Sequence, residues 1–294
     1  MLYKSVKTDI LIFMKKIEFY KYHGLGNDFL IIDLMNKRPG PLNYNKLAEK
    51  ICSRNFGVGA DGILVLTKSC RADCCIDLFN SDGSWAEKSG NGLRIVAAYY
   101  YSNYSRKKKL SFEINDEITE AEIKKAAKGA FSIRVSLGKP EFETKRVPMK
   151  SKAKFHINAP IEIDKVKFPV TCLSLGNPNT VMFVDSFDFD WKELGRIIEF
   201  DKHFPHRTNV EFVKIVNRSK VILNDWERGA GATGSSGTGA ASSVVAGVVN
   251  GYLERKTEVV FPAGSLFIEW REEDDIIYLT GPVEFVCNGT FHFA

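Results

Sequence analysis

Short apolar segments along the chain predict β-strands. The first two flank a Gly-rich turn, and the next two are apolar runs of a length typical of buried strands. Residues 133–137 alternate apolar and polar side chains, the period of a strand with one buried face. The predicted strands are residues 16–21, 29–34, 63–67, 75–79, 133–137, 257–270 and 276–279.

Longer apolar patterns predict helices. In residues 44–54, Leu47 and Ile51 form an apolar face opposite Lys and Glu side chains, which indicates an amphipathic helix. Residues 92–104 predict a helix that is largely apolar, and residues 240–246 open a similar segment in the second half. Because such helices must be buried, we expect each half to pack strands around one central helix, an α+β pattern.

An internal repeat relates the two halves. A Leu-Gly-Asn segment at residues 25–27 recurs 150 positions later at residues 175–177, each time before an apolar segment that ends in Asp. A Ser-Gly-x-Gly segment at residues 89–92 recurs 147 positions later at residues 236–239, each time before an apolar helix. Two motifs in the same order at matching offsets predict two similar domains.

The domain boundary is expected near residues 129–133. We predict an N-terminal domain at residues 1–131 and a C-terminal domain at residues 132–277, each a mixed or antiparallel sheet around a central helix. Residues 278–294 are expected to return to the first domain. Residues 1–13 are expected to be an extension, because Met14 offers an alternative start.

Composition and charge exclude several classes of protein. Hydrophobic residues make up 44% of the 294-residue chain and charged residues 26%, which excludes a disordered or fibrous chain. A net charge of +5 without a clustered basic stripe argues against nucleic-acid binding. No segment reaches the roughly 18 apolar residues that span a membrane. The six cysteines contain no CxxC pair, so a reduced, cytoplasmic setting fits best.

The two Ser-Gly-x-Gly segments are the candidate chemistry. Ser is a preferred N-cap, and Gly lets a ligand approach the backbone closely. The free N–H groups and partial positive charge of a helix N-terminus bind carboxylate or phosphate. Each serine taken alone is a helix cap, but the pair predicts an anion site between two domains.

A carboxylate held between two helix N-termini would have a side-chain hydroxyl on each side of its adjacent carbon. This is the geometry of two-base racemisation, in which one group removes the α-proton and the opposite group returns a proton. The helix dipoles stabilise the charge that develops. The sequence shows no pyridoxal lysine motif, and the GxGxxG at residues 57–62 leads into a strand rather than a helix. We therefore expect a reaction without a cofactor or a metal ion.

At these residues the chain resembles the diaminopimelate epimerase family, which shares its fold superfamily with proline racemase. The resemblance implies two pseudo-symmetric domains that close over the substrate, a homodimer and no cofactor. It covers nearly the whole chain from Met14. Its segments are residues 23–29, 57–62, 79–83, 89–94, 176–178, 209, 227–231 and 236–240.

The resemblance also implies roles for individual residues. Arg228 would clamp the distal carboxylate of diaminopimelate as a bidentate donor, and Glu227 would lie beside the reacting centre. Asparagines would contact the substrate, and backbone N–H groups would hold its proximal carboxylate. The asparagines are Asn27, Asn80, Asn177 and Asn209, and the backbone donors belong to Gly90, Asn91, Gly237 and Thr238.

Three positions depart from the family. Ser89 and Ser236 stand where the family has its two catalytic cysteines, and Asn179 stands where it has a histidine thought to tune those thiols. A thiol has a pKa of about 8.5, which helix N-termini lower, whereas an alcohol ionises many units higher. Serines cannot replace thiolate and thiol directly, and each would need a neighbour to activate it.

Three explanations of these serines remain open from the sequence. They are an engineered replacement that traps a closed complex, a natural homologue that binds an amino acid without epimerising it, or a different α-proton chemistry with another base. The first reading is an epimerase that interconverts LL- and meso-diaminopimelate. The alternatives are a binding protein and a racemase for another amino acid.

Overall fold

The computed structural model describes residues 15–37, 42–86 and 89–293. The predicted extension at residues 1–13 lies outside them. Within the described residues, 17 strands form one continuous sheet, and four further segments form helices. The strands are β1 Lys15–Gly24, β2 Asn27–Asp33, β3 Gly62–Thr67, β4 Cys74–Asn80, β5 Trp85–Ala86, β6 Lys109–Ile114, β7 Glu117–Ala127, β8 Ala130–Gly138, β9 Ala159–Ile163, β10 Val166–Ser174, β11 Pro178–Phe183, β12 Asn209–Asn217, β13 Lys220–Glu227, β14 Gly231–Ala232, β15 Lys256–Phe261, β16 Gly264–Trp270 and β17 Ile277–Phe293. The helices are α1 Tyr44–Ile51, α2 Gly90–Asn103, α3 Trp191–Glu199 and α4 Gly237–Val249.

The strand pairings of the first half recur in the second. In the first half, β1 and β2 are antiparallel, β2 and β3 parallel, β3 and β4 antiparallel, and β4 and β6 parallel. In the second half, β10 and β11 are antiparallel, β11 and β12 parallel, β12 and β13 antiparallel, and β13 and β15 parallel. The sequence repeat therefore corresponds to a repeat of topology, and the fold class is α+β as predicted.

The last strand joins the two halves. β17 pairs with β16 and with β8 along its first part, where Ile277 lies opposite Gly138. Further along it pairs with β1, where Glu284 lies opposite His23. The end of the chain is thus hydrogen-bonded to the strand that opens the first half. The domain boundaries themselves stay a prediction.

The two apolar helices are buried, as their patterns predict. In α2 every residue from Gly90 to Tyr100 is buried, and in α4 the buried run ends at Gly247. Both helices contribute to one hydrophobic core that includes Val96 and Val244. Their first turns are therefore held rigidly inside the molecule. None of the described helices is long and apolar enough to cross a membrane.

Several element boundaries differ from the predicted ones. Helix α2 begins at Gly90 because the Ser89 side chain caps it there. The predicted strand at residues 257–270 is a hairpin, β15 and β16, with a two-residue turn at residues 262–263. The predicted short strand at residues 276–279 extends to Phe293, because β8 and β1 continue its pairing.

Candidate active site

Two serine side chains cap the two central helices. The Ser89 Oγ accepts a hydrogen bond from the Gly92 N–H at 3.1 Å, and the Ser236 Oγ accepts one from the Gly239 N–H at 3.1 Å. Both serines have extended backbone conformations, as N-cap residues do. The predicted caps are confirmed, and each serine retains its own hydroxyl proton for another partner.

The N-termini of α2 and α4 lie against each other. A methyl group placed on Gly237 would lie 3.9 Å from the Gly90 Cα and 3.1 Å from the Leu279 Cδ1. A methyl group placed on Gly90 would lie 3.4 Å from the Leu137 Cδ2. The partial positive charges of two helix N-termini therefore meet in apolar surroundings. The low dielectric there strengthens their electrostatic attraction for an anion.

Equivalent side-chain hydrogen bonds orient the N-termini of α2 and α4. In the first half, the Asn91 Nδ2 donates to the Asn27 Oδ1 at 2.9 Å. In the second half, the Asn177 Nδ2 donates to the Thr238 Oγ1 at 3.1 Å. Asn27 and Asn177 are equivalent in the 150-residue repeat, and Asn91 and Thr238 in the 147-residue repeat. The structure thus joins four of the predicted site residues in matching pairs.

A charged network holds Asn27, the residue that contacts the N-terminus of α2. The Asp61 Oδ2 accepts from the Asn27 Nδ2 at 2.8 Å, and the Arg54 Nη2 lies 2.8 Å from the Asp61 Oδ1 and 3.1 Å from the Asp28 Oδ1. Arg54 and Lys21 lower the pKa of Asp28 against the opposing effect of burial. The Asn27 amide is consequently fixed in orientation, with its oxygen directed to α2.

Asn80 takes a more open position at the end of β4. Its Nδ2 donates to the Ser84 Oγ at 2.9 Å, and its side chain is exposed. Asn80 pairs with Gly62 across β3 and β4, next to Asp61. It therefore lies at the same end of the sheet as Asn27, with its side chain exposed to solvent.

A chain of amides supports the second helix end. The Asn179 Nδ2 donates to the backbone oxygen of Asn177 at 2.7 Å and lies 3.2 Å from its Oδ1. The Asn209 Nδ2 donates to the Asn179 Oδ1 at 3.1 Å, and the Asn209 Oδ1 accepts from the Arg228 N–H at 2.8 Å. Asn179 is fully buried and serves as an amide bridge between two predicted site residues.

The guanidinium of Arg228 is exposed at the rim of this network. Its Nη1 donates to the backbone oxygen of His206 at 3.2 Å. Its backbone is held by Asn209, and the next N–H, of Gly229, donates to the Glu199 Oε1 at 3.0 Å. The base of the side chain is thus fixed while most of its donors face solvent.

Arg94 is a buried cation that the sequence analysis did not single out. Its side chain is fully buried in the first turns of α2, where Nη2 donates to the Asn91 Oδ1 at 2.5 Å and Nη1 to the Gly90 oxygen at 3.4 Å. Among the described residues no carboxylate lies within ion-pair distance of it, and its Nε has no partner. Burial lowers its pKa to about 9. As the one charged residue of helix α2, it was visible in the sequence.

Three carboxyl groups lie together beneath the second helix end. Glu211 is opposite Asp225 in the pairing of β12 and β13, and Glu227 is two positions along on the same face. Burial raises the pKa of all three, that of Asp225 to about 7, with mutual repulsion adding to it at Glu211 and Asp225. The Glu211 Oε2 has no hydrogen-bond partner. Only Glu227 was predicted, since Glu211 and Asp225 carry no motif.

Comparisons with known proteins place the chain in a family. The family model for diaminopimelate epimerase matches residues 19–143 and 171–286. A diaminopimelate epimerase of Carboxydothermus hydrogenoformans is 43% identical over 277 residues, covering 94% of this chain and 99% of that protein. One of Pelotomaculum thermopropionicum is 39% identical over 279 residues, with the same coverage.

Solved structures of low sequence identity share the fold. A Bacillus anthracis protein of the PhzF family has a TM-score of 0.65 and 16% identity, and covers 95% of this chain and 99% of its own. A hydroxyproline epimerase from Agrobacterium vitis, with trans-4-hydroxy-L-proline bound, has a TM-score of 0.67 and 11% identity over 95% and 92% of the two chains. With the family model matched in both halves, this chain belongs to the diaminopimelate epimerase family.

Proposed function

We propose that the chain is a cofactor-independent amino-acid epimerase of the diaminopimelate type. It would interconvert LL- and meso-diaminopimelate in lysine and cell-wall biosynthesis, in the cytoplasm, as a homodimer. The observation that carries the proposal is the meeting of two serine-capped helix N-termini at Gly90 and Gly237 in a chain of this family.

The helix ends supply the binding site for the proximal carboxylate. Backbone N–H groups of Gly90, Asn91, Gly237 and Thr238 belong to the first turns, where no intrahelical acceptor is available to them. Buried Arg94 adds a positive charge beneath the first of these turns. Both effects favour a carboxylate and stabilise the further negative charge that forms when its α-proton leaves.

Polar side chains around the helix ends supply the remaining contacts. Arg228 is placed at the rim, with donors free for the distal carboxylate, and a guanidinium binds a carboxylate with two parallel hydrogen bonds. The amides that hold the helix ends and the sheet edge would bind the amino group and the chain of the substrate. They are Asn27, Asn80, Asn177 and Asn209.

The acid and base positions are those of Ser89, Ser236 and Glu227. Serine hydroxyls are weak bases, and a helix dipole supplies at most about 2 kcal/mol, short of the acidity gap between alcohol and thiol. We therefore expect epimerisation to be very slow. A second candidate, an amino-acid-binding protein, is favoured by Asn179: this fully buried amide bridges Asn177 and Asn209 but cannot tune an acid or a base as a histidine would.

Restoring the thiols tests the proposal. The double variant Ser89→Cys/Ser236→Cys should epimerise diaminopimelate orders of magnitude faster than the unmodified chain, and either single variant much less, because the reaction needs a base on one face and an acid on the other. Optical rotation follows the inversion. Equal turnover by the double variant and the unmodified chain would show that the serines are competent, and bound diaminopimelate without turnover in either would favour the binding protein.

A further inference from the structure

One hydroxyl group joins the carboxyls of the buried Asp225 and the partly buried Glu227. The Thr233 Oγ1 lies 2.6 Å from the Asp225 Oδ2 and 2.5 Å from the Glu227 Oε1. A threonine hydroxyl has one proton, so it can donate to only one of these oxygens. The second contact is a hydrogen bond only if the other carboxyl is protonated and donates to Thr233. Both contacts are satisfied when Asp225 and Glu227 hold one proton between them, in addition to the hydroxyl proton of Thr233.

The chain of hydrogen bonds continues to the helix end. Glu227 also interacts with the hydroxyl of Ser236, which lowers its pKa against the larger effect of burial. The Ser236 oxygen accepts from the Gly239 N–H, so the Ser236 proton remains available for donation to Glu227. The sequence of groups is Asp225, Thr233, Glu227 and Ser236, from the interior to the proposed substrate site.

The first half has no such chain. The residue 147 positions before Glu227 is Asn80, an exposed amide that cannot carry a proton. In the described residues each serine accepts the equivalent hydrogen bond, Ser89 from Gly92 and Ser236 from Gly239, so the halves differ in the group beside the serine. The repeat thus places a proton-carrying carboxyl beside one serine and an amide at the matching position of the other half.

We propose that Thr233 and Asp225 form a proton relay that activates Ser236 through Glu227, so that the present chain exchanges the α-proton on the Ser236 face faster than it inverts the α-carbon. The proposal rests on the proposed substrate, diaminopimelate. Thr233 and Asp225 are positioning residues, because they act through Glu227 and Ser236.

The step balances without another reactant. The α C–H bond breaks as the Ser236 oxygen takes the proton and passes its own to the ionised Glu227, so no free alkoxide forms. The electron pair left on the α-carbon delocalises into the substrate carboxylate, held at the two helix ends. Glu227 exchanges its proton through the partly exposed Thr233, which contacts solvent on one side and the buried Asp225 on the other. Return of a solvent-derived proton by the same route gives exchange with retention.

The pH dependence of the relay is set by several charged groups. On β12, Glu211 repels the ionised form of Asp225 and Glu227 within the same cluster, and from the first half Asp61 raises the pKa of Glu227. Arg228, next in sequence, directs its guanidinium to the His206 oxygen at the rim. Because Glu227 must be ionised to accept the Ser236 proton, the relay should fail at low pH, where Asp225 and Glu227 are both protonated, and should gain activity as the pH rises.

Deuterium exchange on paired variants tests the relay. LL- and meso-diaminopimelate are incubated separately with the full chain in D₂O, and NMR and chiral analysis follow label and configuration at the α-carbon. We expect label to enter one configuration at least about a hundredfold faster than inversion occurs, because one missing general acid or base typically costs about 10²–10⁴-fold. Thr233→Val should reduce exchange and Thr233→Ser should restore it, with diaminopimelate binding unchanged by calorimetry. Asp225→Asn should shift the pH profile, and Asp77→Asn, a carboxyl on β4 away from the relay, should not.

The outcomes separate this inference from the proposed function. Absence of diaminopimelate binding overturns the proposed function. The relay is then tested by carboxyl ¹³C NMR titration of the free protein. Asp225 and Glu227 should titrate as a coupled pair, and Thr233→Val should uncouple them. Independent titration overturns the relay. Binding without exchange, equal labelling of both configurations, or equal rates for Thr233→Val and Thr233→Ser would each overturn it as well.

Discussion

At the scale of single residues, the unusual feature is the burial of ionisable groups around the two helix ends. Arg94 is a fully buried cation, and Glu211 and Asp225 are buried acids with at most 2% of their surface exposed. Burying a charge without a partner is costly, so these groups lower the stability of the free protein. Such strain is common where a site awaits a charged ligand or transfers protons.

The titration of Asp225 predicts a pH dependence of stability. Its pKa is about 7 in the folded protein and near 3.9 when unfolded, so between these values the folded state binds the extra proton. Its contribution to stability is therefore fully present below about pH 4 and is lost as the pH rises through about 7, by roughly 1.4 kcal/mol per pH unit. Asp225→Asn should flatten this decline.

Urea unfolding of the unmodified chain and the variant at pH 5 and pH 8 measures the effect. Comparing the two proteins cancels the contribution of carboxyls such as Asp28, whose lowered pKa acts in the opposite sense. If the free energy of unfolding falls equally in both proteins between the two pH values, Asp225 does not titrate as described.

At the scale of elements, the repeat was the strongest predictor. It identified the serine caps, the apolar helices and the asparagine of each half, because a duplicated helix end needs the same cap and the same orienting contact. The buried acids Glu211 and Asp225 were not predicted, because only the register of β12 and β13 brings them together. The extent of β17 also escaped it, since its polar end is ordered by pairing with β1 rather than by burial.

The meeting of two helix ends predicts the effect of one methyl group. Gly237→Ala would place a carbon between the helix ends, 3.1 Å from the flexible end of Leu279, where a carboxylate should bind. We expect the affinity for diaminopimelate to fall by about tenfold, or about 1.4 kcal/mol, with the melting temperature unchanged. Alanine is well tolerated at a helix start, so folding should not suffer.

Gly234→Ala is the matched control. Gly234 lies three residues before Gly237, and among the described residues the added methyl group would meet only the Ala263 Cβ, at 3.9 Å. Calorimetry and thermal unfolding of both variants distinguish a blocked anion site from a general effect of the loop. Similar affinities for Gly237→Ala and Gly234→Ala would show that the carboxylate does not lie between the helix ends.

At the scale of the whole molecule, two topologically similar halves place different charged groups around the two helix ends. β17 holds the halves together by pairing with β8 and β1, and Leu279 on this strand lies at both helix ends. The first half supplies the network of Asp61 and the cation Arg94, and the second supplies the carboxyls and the exposed Arg228. A substrate with carboxylates at both ends matches this distribution of charge.

The most direct test of this account is calorimetric titration of the full chain with meso-diaminopimelate, beside lysine, which lacks the distal carboxylate. We predict one binding site per chain for diaminopimelate, much weaker binding of lysine, and an Arg228→Ala variant that no longer distinguishes the two, because the distal carboxylate has lost a charge-assisted partner worth about 1.5–3 kcal/mol. No heat with diaminopimelate at millimolar concentration, or unchanged discrimination in Arg228→Ala, would contradict the account.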